Sequence, residues 1–481
     1  MSLSSALNTA VAALTLTSKR AETVANNVAN ADRPGYARRS ILSASPGNGL
    51  PPTRTFVERD VDPRLVQLRR DAEARAGQAS VESGFLVAFD AAIGDPDQAG
   101  SLQDRLAAFD AAILAAGASP ASDSALSQVA YAASDVIDKL DRLSNLVQQE
   151  RQAADTRIGD SVRQLNTDLA EIARLNTDIL RQAAGDGPTA DLMDRRTVLI
   201  DRVSEQIPVR ILPRDGGTVA LVSQGGQILL DGRPAELEFT PRAPITPEMS
   251  FPTQLSGLTI NGNALTSHGD TSLVGGGTLS ALFALRDDTA PAANAQLDGL
   301  AQELVHRFSD PAIDPTLPVG APGLFTDRGA ALASPVAPGL ASRLTLNAAI
   351  DPGDPSTLWR LRDGLGALVP SSGASAGVLA GFADAFHDPG LPVSPAVPQV
   401  PGGLVQIASA LKSAISVDRV RSEALADSTR AEAQNRLDLR DGGGVDIDAE
   451  MQRLLRVEQA YAANARLVQA AGEMMDRLTE L

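Results

Sequence analysis

Cysteine is absent from this 481-residue chain, so no disulfide framework, thiolate nucleophile or cysteine-ligated metal can operate in it. Histidine is nearly absent: His268, His306 and His387 lie far apart and give no zinc-ligand spacing. Aromatic residues make up 3% of the chain, with Trp359 the single tryptophan. That scarcity, beside abundant alanine, suits long and closely packed helices better than a deep ligand pocket. No segment approaches the roughly 18 uninterrupted apolar residues of a membrane span. Positive charge is also short, with 42 Lys/Arg against 59 Asp/Glu and a net charge of −17, which argues against nucleic-acid binding. No cofactor, no metal, no nucleic-acid partner and no membrane partner is expected.

What is present suffices for several domains, since 43% of the residues are hydrophobic. The opening "MSLSSALNTAVAALTLTSKR" places its basic pair Lys19–Arg20 after the apolar stretch, the reverse of a signal peptide. Export, if it occurs, is therefore expected to leave the N-terminus uncleaved. Residues 1–75 hold 11 Lys/Arg against 7 Asp/Glu, and residues 415–481 hold 9 against 13, so the two ends carry opposite net charge and can attract.

Both ends also carry heptads. Leu7, Val11, Leu14, Ser18, Ala21, Ala25 and Val28 recur at spacings of 4 and 3, which predicts one helix ended by Pro34–Gly35. In that register Asn26, Asn27 and Asn30 fall opposite the seam, and their amides are expected to line an outward, interface-forming face. At the other end Ile447, Leu454, Tyr461, Val468 and Met475 are spaced by seven, interleaved with Met451, Glu458, Ala465, Gly472 and Thr479. Neither end has enough large apolar side chains to order itself, so both are expected to become helical only when neighbours bury them.

Between the ends, the fold class predicted is mainly α with a β insertion. Residues 122–184 read as long helix through Val129, Ala133, Val136, Leu140, Leu143, Val147, Ile158, Val162, Leu165, Leu169, Ile172 and Ile179. Residues 208–274 change to short β-branched runs separated by Gly-Gly, Asp-Gly and Asn-Gly turns, a hairpin-rich insertion. Residues 311–402 hold 14 of the 30 prolines and read as an irregular, outer segment. The organisation expected is 1–45 and 445–481 as the two halves of a terminal domain, 46–205 as a helical middle domain, 206–274 as the β-rich insertion, 275–310 and 403–444 as helical returns, and 311–402 as the Pro/Gly-rich segment.

Catalytic signals are weak. "GASAG" at 373–377 matches a nucleophile elbow, with Asp384 and His387 following in hydrolase order, but its flanks are a Pro-Ser-Ser-Gly loop instead of a buried strand. "DLRDGGGVDIDAE" puts Arg440 and Ala449 where a calcium loop needs oxygen ligands, and reads instead as a glycine hinge with Asp446 and Asp448 at a helix start. The "GGG" at 275–277 lacks the lysine of a phosphate loop. No catalytic residue is assigned, and a secreted serine hydrolase using Ser375 is the remotest alternative.

"ANNVANADRPGYARR" at 25–39 resembles the N-terminal signature of bacterial flagellar axial proteins, the rod, hook and hook-associated group, whose pattern is close to A-N-N-x-A-N-x-x-T-P-G-Y-S-R. "VDIDAEMQRLLRVEQAYAANARLVQAAGEMMDRLTEL" is similar to the matching C-terminal signature, with Gln459–Ala460–Tyr461 and Met474. Arg33 stands where Thr is usual and Ala37 where Ser is usual. The long helical region before any β insertion, and Arg38 directly after "PGYA", are most similar to the hook-filament junction member of the group; hook or distal-rod protein is the alternative.

The resemblance implies an extracellular structural adaptor, exported unfolded through the flagellar secretion channel and folded at the tip. It implies a homo-oligomer in a helical ring, with hook protein on one side, a second hook-associated protein on the filament side, and a cytoplasmic export chaperone on the C-terminal helix. The terminal helices would pair as a coiled-coil stalk, and Pro34, Gly35 and Tyr36 would turn the chain outward. The assembly interface expected comprises Leu7, Val11, Leu14, Asn26, Asn27, Val28, Asn30, Pro34, Gly35 and Tyr36 with Met451, Leu454, Tyr461, Ala465, Val468 and Met475.

Overall fold

The computed structural model describes residues 3–44, 54–185, 187–264, 275–371, 375–441 and 445–479. The chain is mostly helical, 62%, with small antiparallel sheets. Helix α1 (Leu3–Ala29) leads through the Pro34–Gly35 turn into an unforeseen hairpin of β1 (Arg39–Ala44) and β2 (Arg54–Arg59), paired Arg39 to Arg59. Asp62 then caps α2 (Pro63–Ile93), accepting from the backbone N–H of Arg64 and Leu65, with Pro63 at the first helical position where its missing donor costs nothing. Ser101 caps α3 (Leu102–Ala118), and Ser122 caps α4 (Asp123–Ala184).

The predicted helix over 122–184 is this single 62-residue element, roughly 93 Å long at 1.5 Å per residue. All twelve apolar positions read from its periodicity are buried. Helix α5 (Ala190–Gln206) folds back along it.

The β insertion follows. Strands β3 (Val209–Pro213), β4 (Val219–Ser223), β5 (Ile228–Asp231) and β6 (Arg233–Pro234) form one antiparallel sheet in that order. Strands β7 (Leu237–Glu238), β8 (Thr259–Ile260) and β9 (Asn263–Ala264) form a second. Amides on α4 hold both to the helix. Asn176 donates to Val219 O at 2.8 Å, and Asn166 donates to Leu237 O at 2.7 Å and accepts from Leu237 N at 3.0 Å.

Helices α6 (Gly277–Ala284) and α7 (Ala290–Arg307) are joined by a π-turn at Leu285–Thr289. In that turn Arg286 is wholly buried, donating to Asp155 of α4 at 2.7 Å and to Ser256 O at 2.9 Å.

Residues 311–402 contain few regular elements: β10 (Phe325–Asp327), α8 (Leu340–Arg343), β11 (Leu344–Leu346), α9 (Arg360–Asp363) and α10 (Gly377–His387). Their large side chains nevertheless pack with those of the helices. Phe325 and Phe386 bring their ring centroids 5.7 and 6.0 Å from that of Phe109 on α3, and Phe382 lies 5.5 Å from Phe308. Prolines suppressed ladders and helices here without preventing burial, because large side chains between them reach one shared core. Helix α11 (Leu404–Asp441) then runs antiparallel along α2, pinned where Lys412 donates to Asp90 at 2.8 Å and Arg75 to Glu432 at 3.1 Å.

Helix α12 (Ile447–Thr479) lies against α1. Its start matches the helix-start reading of Asp446, whose side chain accepts from Ala449 N at 3.0 Å. Gly442, Gly443 and Gly444 of the predicted hinge lie outside the described residues.

Both terminal seams are rotated from their predicted register. On α1 the buried positions are Ala10, Thr17, Val24 and Asn27, with Leu7, Leu14 and Val28 half-buried, while Val11 is 48% exposed. On α12 the buried positions are Glu450 and Ala471, and Val457 and Asn464 fill the same seven-residue line half-buried. Leu454, Ala465 and Val468 are half-buried beside it, and Met451, Tyr461 and Met475 are exposed. In each helix one half of the predicted heptad sits a single residue, about 100° of helix rotation, from the true contact line. Hydrophobicity favours the large side chains, whereas a close helix contact admits small ones such as Ala10, Thr17 and Ala471.

Candidate assembly site

The two ends of the chain meet the body at one polar junction. Asn27, in the last turns of α1, is 1% exposed, which corrects the outward placement predicted for it. Its amide is fully used. The Oδ1 accepts from the Tyr36 hydroxyl and from Arg39 N, both at 2.9 Å; the Nδ2 donates to Arg39 O at 2.9 Å and to Glu450 Oε2 at 3.1 Å. Asn27 therefore acts on β1 as a neighbouring strand would, giving and receiving one hydrogen bond at Arg39, while its other two bonds reach the turn and the far end of the sequence.

Glu450, on the first turn of α12, is the second centre. Its side chain is 1% exposed and accepts from Arg38 Nε at 2.8 Å, and also from Arg453. Burial alone would push its carboxyl up, but the hydrogen bonds from Arg38, Asn27 and Arg453 outweigh burial and hold it below its ordinary value. Arg38 also reaches Asp60 at 2.6 Å. Arg39 donates to Asp191 at 2.6 Å and to Asp194 at 2.8 Å on α5, stacks 4.8 Å over the Tyr36 ring, and shares Asp194 with Arg59 of β2. Burial pushes the Tyr36 phenol up.

Gly35 supplies the close approach. Its φ is +78°, and a Cβ there would run into Val198 of α5 and lie 3.1 Å from Asp194 O. The turn is thus seated on α5 by a residue that only glycine can provide.

Of the residues predicted for assembly, the structure brings Asn27, Gly35 and Tyr36 into this junction. Asn26 is exposed, Asn30 makes a local bond to Asn26 O at 2.8 Å, and Pro34 is exposed. Sequence reading missed Glu450, Arg39, Asp191 and Asp194 as members. The opposite net charge of the two ends was the available signal, and Arg38–Glu450 is where it acts.

No triad assembles around Ser375. That residue is exposed ahead of α10, and His387 stands at the opposite end of the same helix, about 15 Å away. The partners of His387 are Ala383 O at 2.8 Å and Asp110 at 3.2 Å. Gly373 and Ala374 lie outside the described residues, as does His268. Among the described residues no group of acidic and histidine side chains could hold a metal ion, and no helix is long and apolar enough to cross a membrane.

The junction joins two segments that family models recognise. Residues 7–36 match the model described as flagella basal body rod protein, and residues 442–481 match the C-terminal region of the flagellar basal body rod FlgEFG protein. The class defined at the two ends is that of the flagellar rod and hook proteins. Residues 88–311, spanning α3 to α7, match the helical domain of the flagellar hook-associated protein FlgK. Through this helical domain the chain is similar to the flagellar hook-associated proteins of the FlgK family.

Flagellar hook-associated protein 1 of Salmonella typhimurium is 26% identical over 249 residues, 48% of this chain and 44% of that protein. Flagellar hook-associated protein 1 of Escherichia coli K12 is 22% identical over 323 residues, 64% of this chain and 57% of that one. The chain thus matches about half the length of these curated relatives. The solved flagellar hook junction protein FlgK from Burkholderia pseudomallei aligns at a TM-score of 0.45 with 22% identity, covering 55% of this chain and 46% of that chain.

Proposed function

We propose that this protein is a structural adaptor of the bacterial flagellum that joins hook to filament. Subunits are exported and assemble outside the cell as a helical ring, with hook protein on one side and a second hook-associated protein on the other. A cytoplasmic chaperone covers the C-terminal helix before export. The role is mechanical and no chemistry is assigned.

The observation that carries the reading is the pairing of a locked junction with open helix faces. Asn27 and Glu450 tie α1 and α12 to each other and to the body, while Ile447, Met451, Leu455 and Tyr461 on α12 stay 45–58% exposed. A contiguous exposed apolar stripe on a helix is a surface for further helices. In this reading α1 and α12 form a coiled-coil stalk whose outer stripe neighbouring subunits cover, and residues 311–402 face away from the stalk.

Deleting the gene tests it. The expected phenotype is cells with complete hooks that shed unpolymerised flagellin. Hookless cells would overturn the junction role in favour of a hook or distal-rod protein.

A further inference from the structure

A cleft of about 830 Å³ opens between the start of α2, α5 and β3. β3 is an edge strand of its sheet. The cleft walls are apolar at Leu65, Ile200 and Leu212, yet arginines ring it. Arg38, Arg59, Arg69 and Arg70 are taken up by carboxylates of this chain. Arg64, Arg196 and Arg210 have no ion pair among the described residues.

Arg196 is the unusual one. It is 7% exposed, and its Nη1 donates to two neutral oxygens, Asn176 Oδ1 at 2.7 Å and Gly217 O at 2.9 Å. Burial first, and the neighbouring Arg59 guanidinium second, push it down to about 10. A cation kept in such a recess without a carboxylate is strongly stabilised by any anion that reaches it.

The complementary feature lies elsewhere on the same chain. On α4, Asp138 is exposed with no ion pair among the described residues, and Asp141 one turn later accepts from Asn145 at 3.0 Å. Burial and the adjacent Asp138 push the Asp141 carboxyl up, against the opposing pull of Asn145 and of the exposed Arg142. Asn176, which touches Arg196, lies 38 residues further along the same helix, about 57 Å away. One chain cannot bring these two features together.

We propose that, in the assembled protein, the Asp138–Asp141 ridge of a second copy docks into the arginine cleft around Arg196. The contact rests on the reading that copies of the chain pack side by side, and it adds to that reading a head-to-tail pairing that repeats from subunit to subunit. Arg64 and Arg210 at the rim steer the acidic ridge in, and Arg196 at the floor receives a carboxylate.

The absence of cysteine allows a clean test. Leu65→Cys at the cleft and Asn145→Cys beside the ridge are combined in the full chain, and flagella from cells making this variant are oxidised. Chain-to-chain crosslinks forming a ladder are expected, with none from either single variant. Arg64→Glu with Arg210→Glu, both exposed, should cut the ladder about tenfold, and Asp138→Arg with Asp141→Arg made separately should cut it as well. Immunolabelling of the chain on flagella is read in parallel. A chain missing from flagella refutes the adaptor reading, and the ladder in concentrated purified chain then decides the contact. A chain present without a ladder, a ladder indifferent to charge reversal, or crosslinks to a different protein would each overturn the proposal.

Discussion

Asn27 carries an amide because the position needs two donors and two acceptor sites in one flat group, and it needs them uncharged beside Glu450. Asn27→Asp keeps the shape but loses both donors and sets a second carboxylate against the first. It should destabilise the junction by about 1–3 kcal/mol, seen as faster amide exchange in residues 23–29 and 447–453 with α4 unaffected. Glu450 adds a pH dependence with a definite sign. Its folded-state pKa is depressed, so the stability it contributes is present above its unfolded value, about 4.3, and is lost as pH falls through the folded value. Attachment of α12 should therefore weaken under acid below about pH 4. In Glu450→Gln that acid step, followed by exchange of the α12 amides, should flatten; an unchanged step would assign it to other carboxylates.

At the scale of elements, α12 has two faces with different work. Glu450, Val457, Asn464 and Ala471 repeat every seven residues on the enclosed side, while Met451 and Tyr461 sit on the open side. Met451→Asp with Tyr461→Asp should leave helix content and melting of the purified chain unchanged and abolish filament retention in cells, with export verified separately. Val457→Asp with Ala471→Asp should instead part α12 from α1 in the isolated chain, because an unpaired carboxylate placed in a helix contact costs several kcal/mol. The π-turn between α6 and α7 is tied to α4 by one buried ion pair, Arg286–Asp155. Asp155→Ala would leave Arg286, wholly buried, with less compensation and should cost about 3–5 kcal/mol in thermal or urea unfolding.

For the whole molecule, the proline-rich stretch shares its core with the helices instead of hanging from them. Phe109, Phe308, Phe325 and Phe386 belong to four different elements or loops and meet at centroid distances of 5.3–6.0 Å. Phe109→Ala should cost about 3–5 kcal/mol, and native-state exchange should show residues 324–326 and 378–386 losing protection together with α3. Exchange that opens 311–402 well before α3 would mark it as an independent unit. By contrast the ends, tied on chiefly through one junction, should exchange fastest of all the helices in the monomer.

Periodicity and turn chemistry were sufficient to read the longest helix, the terminal helices and the β runs. The apolar positions of α4, the β runs after residue 208 and the helix start at Asp446 are local patterns, and local patterns survive folding. The family was legible for a related reason, since the segments around Asn27 and Tyr461 are short, contiguous and specific. Which side of a helix faces its partner was decided only by tertiary contact: a shift of one residue turned Val11 and Met451 outward and put Ala10 and Glu450 inside. The same holds for the Asn27–Glu450 bond, which joins positions 423 residues apart, and for the phenylalanine core beneath the prolines. Both depend on which distant surfaces meet, and spacing along a chain carries no record of that.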